Sequence, residues 1–376
     1  MTRAAIYLDH NAASPLLPEA RAALVDALDL TGNASSVHGH GRALRNLIET
    51  ARGQIASVAG AERKQVVFTG SATEAITQAI VGGAKAFAAG AVVISATEHA
   101  AVSKAAEATG LPVVILPVDG GGHIDLDQLA EIVAEAEGNL LVALHWVNNE
   151  TGVVQEVARI SAIVGPTRHT LFIDAVQAFG KLDLDFAASA PDMMAVSGHK
   201  VGAPAGIGAL LVKSHADVVR LIPGGGQEQG RRGGTEASAL ISAFGAAAAA
   251  IADRYQAADV QALVARLEAA LPAEAVVFGD RRLGNVVNFA VPGIKNATAM
   301  MALDLMGLSI SSGSACSSGK VGSSHVLAAM GVAPELAECA LRVSLGWNST
   351  GEDVDAFLAG YQSILERHRA RQGQAA

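Results

Sequence analysis

Short apolar runs rich in β-branched residues recur along the first part of the chain, at residues 65–69, 91–96, 111–118, 140–147, 171–175, 193–197 and 208–212. Stretches with helical spacing fall between several of them, at 71–88, 99–109, 126–136 and 157–164. Alternating strand and helix predicts an α/β fold, a mainly parallel seven-stranded sheet with helices on both faces. The sheet is expected to finish near Val212. A long Ala-rich helix is predicted over 237–255, then a helix at 257–270, short strands at 276–278 and 286–290, further helices, a strand at 340–345 and a closing helix at 352–367. That succession reads as a smaller α+β C-terminal domain. Ligands of sheets of the first kind sit beyond the C-terminal strand ends, so chemistry is sought there.

Composition narrows the classes. At 376 residues the chain has room for two domains of about 150 residues or more. Hydrophobic residues at 51% and charged residues at 17% exclude a disordered protein. A formal charge of −9 argues against non-specific nucleic-acid or anionic-membrane binding, and 4% aromatics against base-stacking platforms. The most apolar stretch, 246–252, ends at Asp253 and is too short to cross a bilayer. The start, MTRAAIYLDH, meets Asp9 before an apolar run of signal-peptide length, so no secretion signal is expected. Two cysteines in so long a chain make no disulfide framework; a reducing cytoplasm is expected, with both thiols free.

Several strand ends carry reactive groups. Ser197-Gly198-His199-Lys200 directly follows an apolar run. Lys200 is a surface lysine in a glycine-rich turn or, with desolvation and small neighbours, a Schiff-base lysine. Asp174 closes the preceding strand, where it either caps the next helix or faces a pyridine nitrogen. Lying at consecutive strand ends, Asp174 and Lys200 can face one cavity. Thr69-Gly70-Ser71-Ala72-Thr73-Glu74 is a turn into a helix, readable as a capping box or as a phosphate cradle. His99 follows a strand and is either structural or a proton shuttle stacked on a ring. Cys316 sits in the small polar stretch SSGSACSSGKVGSS and is the candidate reactive thiol, whereas Cys339, among Ala and Leu, reads as structural. Arg342 lies in an apolar strand and needs an anion, either a protein carboxylate or a substrate's. Asn149 also follows a strand. No CxxC or HExxH zinc signature is present.

Together these segments resemble the cysteine desulfurases of the NifS/IscS type, within the class V aminotransferase group of fold-type I pyridoxal-phosphate enzymes. GNASSVH, TGSATE, TEH, NNETG, DAVQ, SGHK, RRGGTE, SGSACSS and LRVSLG occur in the family's order, from YLDHNA near the start to Arg342 and beyond. The resemblance implies a large cofactor domain over 14–252 and a small domain formed by 1–13 and 253–376. It implies pyridoxal 5'-phosphate on Lys200, with Asp174 at the ring nitrogen, Gln177 at the ring hydroxyl and His99 stacked on the ring and active in proton transfer. Ser71, Ala72, Thr73, Ser197 and His199 would hold the phosphate. Thr235 would reach the phosphate of the neighbouring subunit in a homodimer. Asn149, also counted with the cofactor contacts, and Arg342 would grip the substrate carboxylate. L-cysteine would lose its α-proton toward the protonated ring and give up sulfur to Cys316, leaving alanine and a persulfide. The persulfide would pass to a sulfur acceptor or iron–sulfur scaffold protein. No resident metal is implied, only transient iron–sulfur ligation by Cys316.

This chain departs from the family pattern at Ala13-Ser14, Gln229, Ala237 and around Pro204, which touches dimer contacts and substrate preference but removes no catalytic group. Two rivals stand beside the desulfurase. One is an aminotransferase or selenocysteine lyase of the same group. The other is a non-catalytic scaffold, against which Lys200 and Cys316 both count.

Overall fold

The structure is a computed structural model describing residues 5–189, 191–312 and 324–375, the last with side chains to residue 370. Strand β1 (Ile6–Tyr7) leads to α1 (Pro18–Leu28) and α2 (Gly39–Val58). The large sheet follows as β2 (Val66–Thr69), β3 (Ala89–Ser95), β4 (Val113–Leu116), β5 (Asn139–His145), β6 (Thr170–Asp174), β7 (Met193–Ser197) and β8 (Gly208–Val212). Helices α3 (Ala72–Thr77), α4 (Gly83–Ala86), α5 (Ala100–Ala108), α6 (Leu126–Glu135) and α7 (Val157–Val164) join its strands. After α8 (Ser238–Ala257) come α9 (Val260–Ala269), β9 (Val276–Val277), β10 (Val286–Ala290), α10 (Asn296–Leu305), β11 (Leu308–Ser309), α11 (His325–Ala329), α12 (Pro334–Ala337), β12 (Ala340–Ser344) and α13 (Gly351–Ala375).

The large sheet has the order β2-β8-β7-β6-β5-β3-β4. Only β8 runs against its neighbours; every other pair is parallel. The expected mainly parallel sheet is therefore present. The single reversal has a local cause. Residues 198–207, with Gly198, Gly202 and Gly206, form a connection too short for the dozen or more residues a parallel crossover needs. Strands β2, β6, β7 and β8 are buried at every position, which is why they read as unbroken apolar runs. One large apolar cluster packs α2, α6, α7 and α8 against the sheet, and another packs α3 and α5 against it.

A second core surrounds the antiparallel sheet β12-β10-β9, where Phe289 of β10 meets Phe357 and Tyr361 of α13. The N-terminal segment joins this part. Strand β1 pairs with β11, and Asp9 bridges Ser344 on β12.

Sequence reading and structure differ locally. The helix expected over 71–88 is broken by a π-turn at Gln78–Gly82. Gln78 is buried there, and its Nε2 donates to the carbonyls of Val219 and Arg231. The helix expected from 257 begins at Val260, because Asp259 takes a left-handed conformation that separates it from α8. At the start of β8, Gly208 lies so close to α3 that a Cβ would sit 2.7 Å from the Ser71 carbonyl carbon. That contact presses the first turn of α3 onto the sheet edge.

A buried ion pair ties the strand before that turn to the 224–235 loop. Arg52 on α2 donates through both Nη atoms to Glu228, at 2.7 and 2.8 Å. Glu228 also accepts the Phe68 amide at 2.9 Å, and the Arg52 guanidinium lies 4.8 Å over the Phe68 ring. Removing Glu228 would leave the buried Arg52 guanidinium with only the half-exposed Glu49, at 3.0 Å, as a charged partner. Glu228→Ala is therefore expected to lower unfolding free energy by about 3–5 kcal/mol. Urea denaturation checks this, and an unchanged midpoint would contradict it.

Candidate active site

The C-terminal ends of β5, β6 and β7 open on one cavity of about 310 Å³, within the size range of small-cofactor sites. Its lining includes Lys200, Asp174, Gln177, His99, Ala72, Thr73, His199, Asn149 and Arg342. Nine of the positions singled out from sequence thus meet in one place, although they span most of the chain. A larger hollow of about 580 Å³, lined among others by Lys181, Asp183, Tyr255 and Asn285, contains none of them.

Lys200 stands on the turn after β7. Its Nζ donates to the carbonyls of Asn11 at 2.5 Å and Ala12 at 2.8 Å. Gln177 Nε2 donates to the same Asn11 carbonyl at 3.0 Å. An amine and an amide N–H therefore converge on a single oxygen. A ring bearing an aldehyde carbon beside a hydroxyl would present an electrophile to the first and an acceptor to the second.

Asp174 ends β6. Its Oδ1 accepts the Val176 amide at 2.9 Å, and it joins none of the ion pairs among the described residues. Burial pushes its pKa up to about 6, aided by Glu98, while the Val176 amide, His145 and Lys200 pull the other way. A buried carboxylate without a paired cation suits a protonated pyridine nitrogen.

His99 caps α5, its Nδ1 accepting the Ala101 amide at 3.1 Å. In the neutral ring the proton therefore sits on Nε2, the nitrogen left for a cavity partner. His199 lies beside it. Burial, then Lys200 and His99, push its pKa down to about 4, so it is neutral at pH 7. Its Nδ1 pairs with Ser197 Oγ at 2.9 Å.

At the α3 turn both sequence readings coexist. Ser71 Oγ accepts the Glu74 amide at 3.1 Å, while Glu74 Oε2 accepts the Gly70 amide at 2.8 Å and pairs with Arg232. Capping uses Gly70 and Glu74, and Ala72 and Thr73 edge the cavity with the first backbone N–H groups of the helix. Thr235 lies elsewhere, in a small hollow with Gly70 and Arg232. Arg342 is almost wholly buried. Its Nη2 pairs with Asp9 at 2.7 Å, its Nη1 donates to the Asn149 carbonyl at 3.0 Å, and its Nε has no partner. The protein-carboxylate alternative is thus realised, and the guanidinium still faces the cavity.

Cys316 lies outside the described residues, within 313–323. Both flanks of that segment are fixed at the site. Ser311 exchanges backbone hydrogen bonds with Arg342, and Ser324 Oγ donates to the buried Glu150 at 2.5 Å. His325 Nε2 lies 3.0 Å from the Glu98 carbonyl. Cys339 is buried, as expected, its thiol donating to the Glu335 carbonyl at 3.3 Å.

The sequence reading missed Asn11, Asp9, Glu98, His145 and Lys181. Glu98 Oε1 accepts from Ser95 Oγ at 2.6 Å and lies 2.8 Å from His145 Nδ1, directly beside Asp174 in the sheet register. Burial lowers the His145 pKa, but Glu98 more than offsets it, and the net shift is upward. A glutamate adjoining His99 and a histidine ending an apolar strand were the only signals available.

Residues 6–357 match the family described as aminotransferase class-V. The chain belongs to that family. It is 38% identical to a cysteine desulfurase of Trichormus azollae, covering 97% of this chain and 94% of that one. It is 36% identical to an IscS-like cysteine desulfurase of Mycobacterium tuberculosis, covering 96% and 97%. The solved structure of a NifS-like protein from Rickettsia africae superposes with a TM-score of 0.86 at 31% identity, covering 96% of this chain and 99% of that one. Among the described residues no group of side chains is arranged to hold a metal ion, and no helix is long and apolar enough to cross a membrane.

Proposed function

We propose that this class-V family member is a cysteine desulfurase. It takes sulfur from L-cysteine with pyridoxal 5'-phosphate bound at Lys200, releases L-alanine, and leaves a persulfide on Cys316. The observation that carries the proposal is the meeting of Lys200 and Asp174, from neighbouring strand ends, across one cavity edged by Gln177 and His99. The bound cofactor would supply an electron sink for the carbanion formed when the substrate α-proton leaves.

This chain's residues do the rest. Asp174 holds a proton on the ring nitrogen. Gln177 Nε2 donates to the ring oxygen in place of the Asn11 carbonyl. Ser71, Ala72, Thr73, Ser197 and His199 take the phosphate, a neutral His199 donating without adding charge. His99 would lie against the ring and could move a proton through Nε2, its Nδ1 being taken by the Ala101 amide. Arg342 and Asn149 receive the substrate carboxylate, Arg342 through N–H groups left over by Asp9. Lys200, whose Nζ lines the cavity, would serve as the base that takes the substrate α-proton.

Cys316 belongs to the segment between Ser312 and Ser324, whose flanking residues Ser311 and Ser324 are hydrogen-bonded to Arg342 and Glu150. In this reading the Cys316 thiol takes the substrate sulfur and passes it to an acceptor. The wider reading is a cytoplasmic homodimer in which Thr235 completes the partner's phosphate site, with 14–252 as cofactor domain and 1–13 plus 253–376 as the small domain. The persulfide goes to iron–sulfur assembly or another thiolation route.

Mass spectrometry of Cys316 after incubation with L-cysteine is the test. A gain of one sulfur, reversed by a reductant, is expected, with alanine production lost in Cys316→Ser. An unmodified Cys316, or undiminished alanine from Cys316→Ser, would overturn the role of that thiol and favour an aminotransferase.

A further inference from the structure

Lys181 follows Gln177 on the turn leaving β6 and stands between the cavity and the larger hollow. Its Nζ donates to Gln177 Oε1 at 3.0 Å. The other end of the same amide, Nε2, donates to the Asn11 carbonyl at 3.0 Å. An amide can present either its oxygen or its NH2 group in one direction, and its neighbours decide which. Here an ammonium, which only donates, faces the oxygen, and a carbonyl, which only accepts, faces the NH2. The two neighbours agree.

They are not equally durable. Once a ring oxygen takes up the Gln177 N–H, the Asn11 carbonyl no longer specifies the amide, and only Lys181 does. No ion pair among the described residues includes Lys181, so its ammonium is not drawn elsewhere. The groups facing it are Lys200 and Arg342 from the cavity, His10 from the N-terminal segment, and the Tyr255 ring of α8 at 6.0 Å. Asp183 and Asp259 line the same hollow. Burial and the two cavity cations push the Lys181 pKa down to about 7, so near neutrality the group is divided between ammonium and amine, and both forms carry N–H bonds that can donate to Gln177 Oε1.

We infer that Lys181 is a positioning residue that locks the Gln177 amide with its NH2 group toward the cavity, so that it donates to the cofactor's ring oxygen. The inference rests on the cofactor reading above and adds a residue to it. A flipped amide would set oxygen against an oxyanion and would loosen the cofactor.

The test compares wild type, Lys181→Met, Lys181→Arg, Gln177→Met and the Lys181→Met/Gln177→Met double variant, each stripped and reloaded with pyridoxal 5'-phosphate. Two quantities are read: the dissociation constant, and the pH midpoint of the visible band of the cofactor on Lys200. The midpoint reports the proton shared between the ring oxygen and the Lys200 nitrogen. Losing a donor to that oxygen raises it. Lys181→Met is expected to raise the midpoint and weaken binding on the order of tenfold, and Lys181→Arg to restore both. In the Gln177→Met background, Lys181→Met should change neither, because the two act as one unit. Wild-type values in Lys181→Met, or equal shifts in both backgrounds, would overturn the inference while leaving the cofactor reading intact. No visible band in reloaded wild type would overturn both. Lys181→Leu, which likewise removes the donor, replaces Lys181→Met if that variant does not fold.

Discussion

Lys200→Ala is expected to fold, to lose every trace of cofactor that borohydride can fix to the chain, and to lose turnover of L-cysteine. The first expectation follows from what Lys200 does structurally. Its Nζ satisfies the carbonyls of Asn11 and Ala12 at the wall of an open cavity, where water can take its place. The second follows from geometry. Among the described residues, Lys200 alone of the lysines and arginines lining the cavity is a primary amine; its companion there is the Arg342 guanidinium. A guanidinium stays protonated and cannot act as the nucleophile. The third follows from the loss of a positioned base, worth on the order of 10²–10⁴-fold by itself, with the loss of covalent anchoring added. Mass spectrometry after borohydride treatment and an alanine assay measure both. A cofactor-sized adduct on the variant, or turnover within tenfold of wild type, would refute the assignment of Lys200.

Much of this site was legible because its groups sit at strand ends in glycine-rich or hydroxyl-rich segments, where local sequence carries both the strand and its stop. Strands β6, β7 and β8 read clearly since each is buried on both faces and so apolar throughout. What stayed hidden depends on pairing across the chain. Arg52 and Glu228 are far apart in sequence, as are Asp9 and Arg342, and nothing local marks either as half of a buried pair. Arg342 shows the limit well. Sequence demanded an anion for it and left two candidates; the fold brings Asp9 to it and keeps the guanidinium at the cavity. Lys181 was not singled out from sequence, and only the fold reveals that Gln177 is its partner. Helices α1 and α2 were passed over, although α2 carries Leu44, Ile48, Ala51 and Ile55 at helical spacing on its buried face.

The Asp174 carboxyl should pull stability and catalysis in opposite directions. Its pKa is about 6 in the folded chain without cofactor, against 3.8 for an ordinary aspartate. A carboxyl whose folded value is raised favours folding fully below the unfolded value. That contribution is lost as pH climbs from about 4 to about 6, where the unfolded chain has released its proton and the folded chain has not. At one pKa unit per 1.36 kcal/mol, the loss amounts to about 3 kcal/mol at neutral pH. Asp174→Asn removes the ionisation. The cofactor-free variant is therefore expected to be more stable than wild type at pH 7 by up to about 3 kcal/mol, and to show no advantage at pH 4. Activity should move the other way. An asparagine cannot hold a proton on a ring nitrogen as a carboxylate does, and losing an opposite charge at contact distance lowers the partner's pKa by about 1–3 units. Turnover should then fall by about 10- to 10³-fold, roughly tenfold per unit. Urea melts of the stripped proteins at pH 4 and pH 7, set beside alanine production by the reloaded ones, test both halves. Equal stability at the two pH values would show that Asp174 is not the strained carboxylate its surroundings make it. Stability gained with turnover intact would remove it from the chemistry. Only the opposed pair of changes identifies a side chain that the fold keeps at its own expense for a positively charged ring.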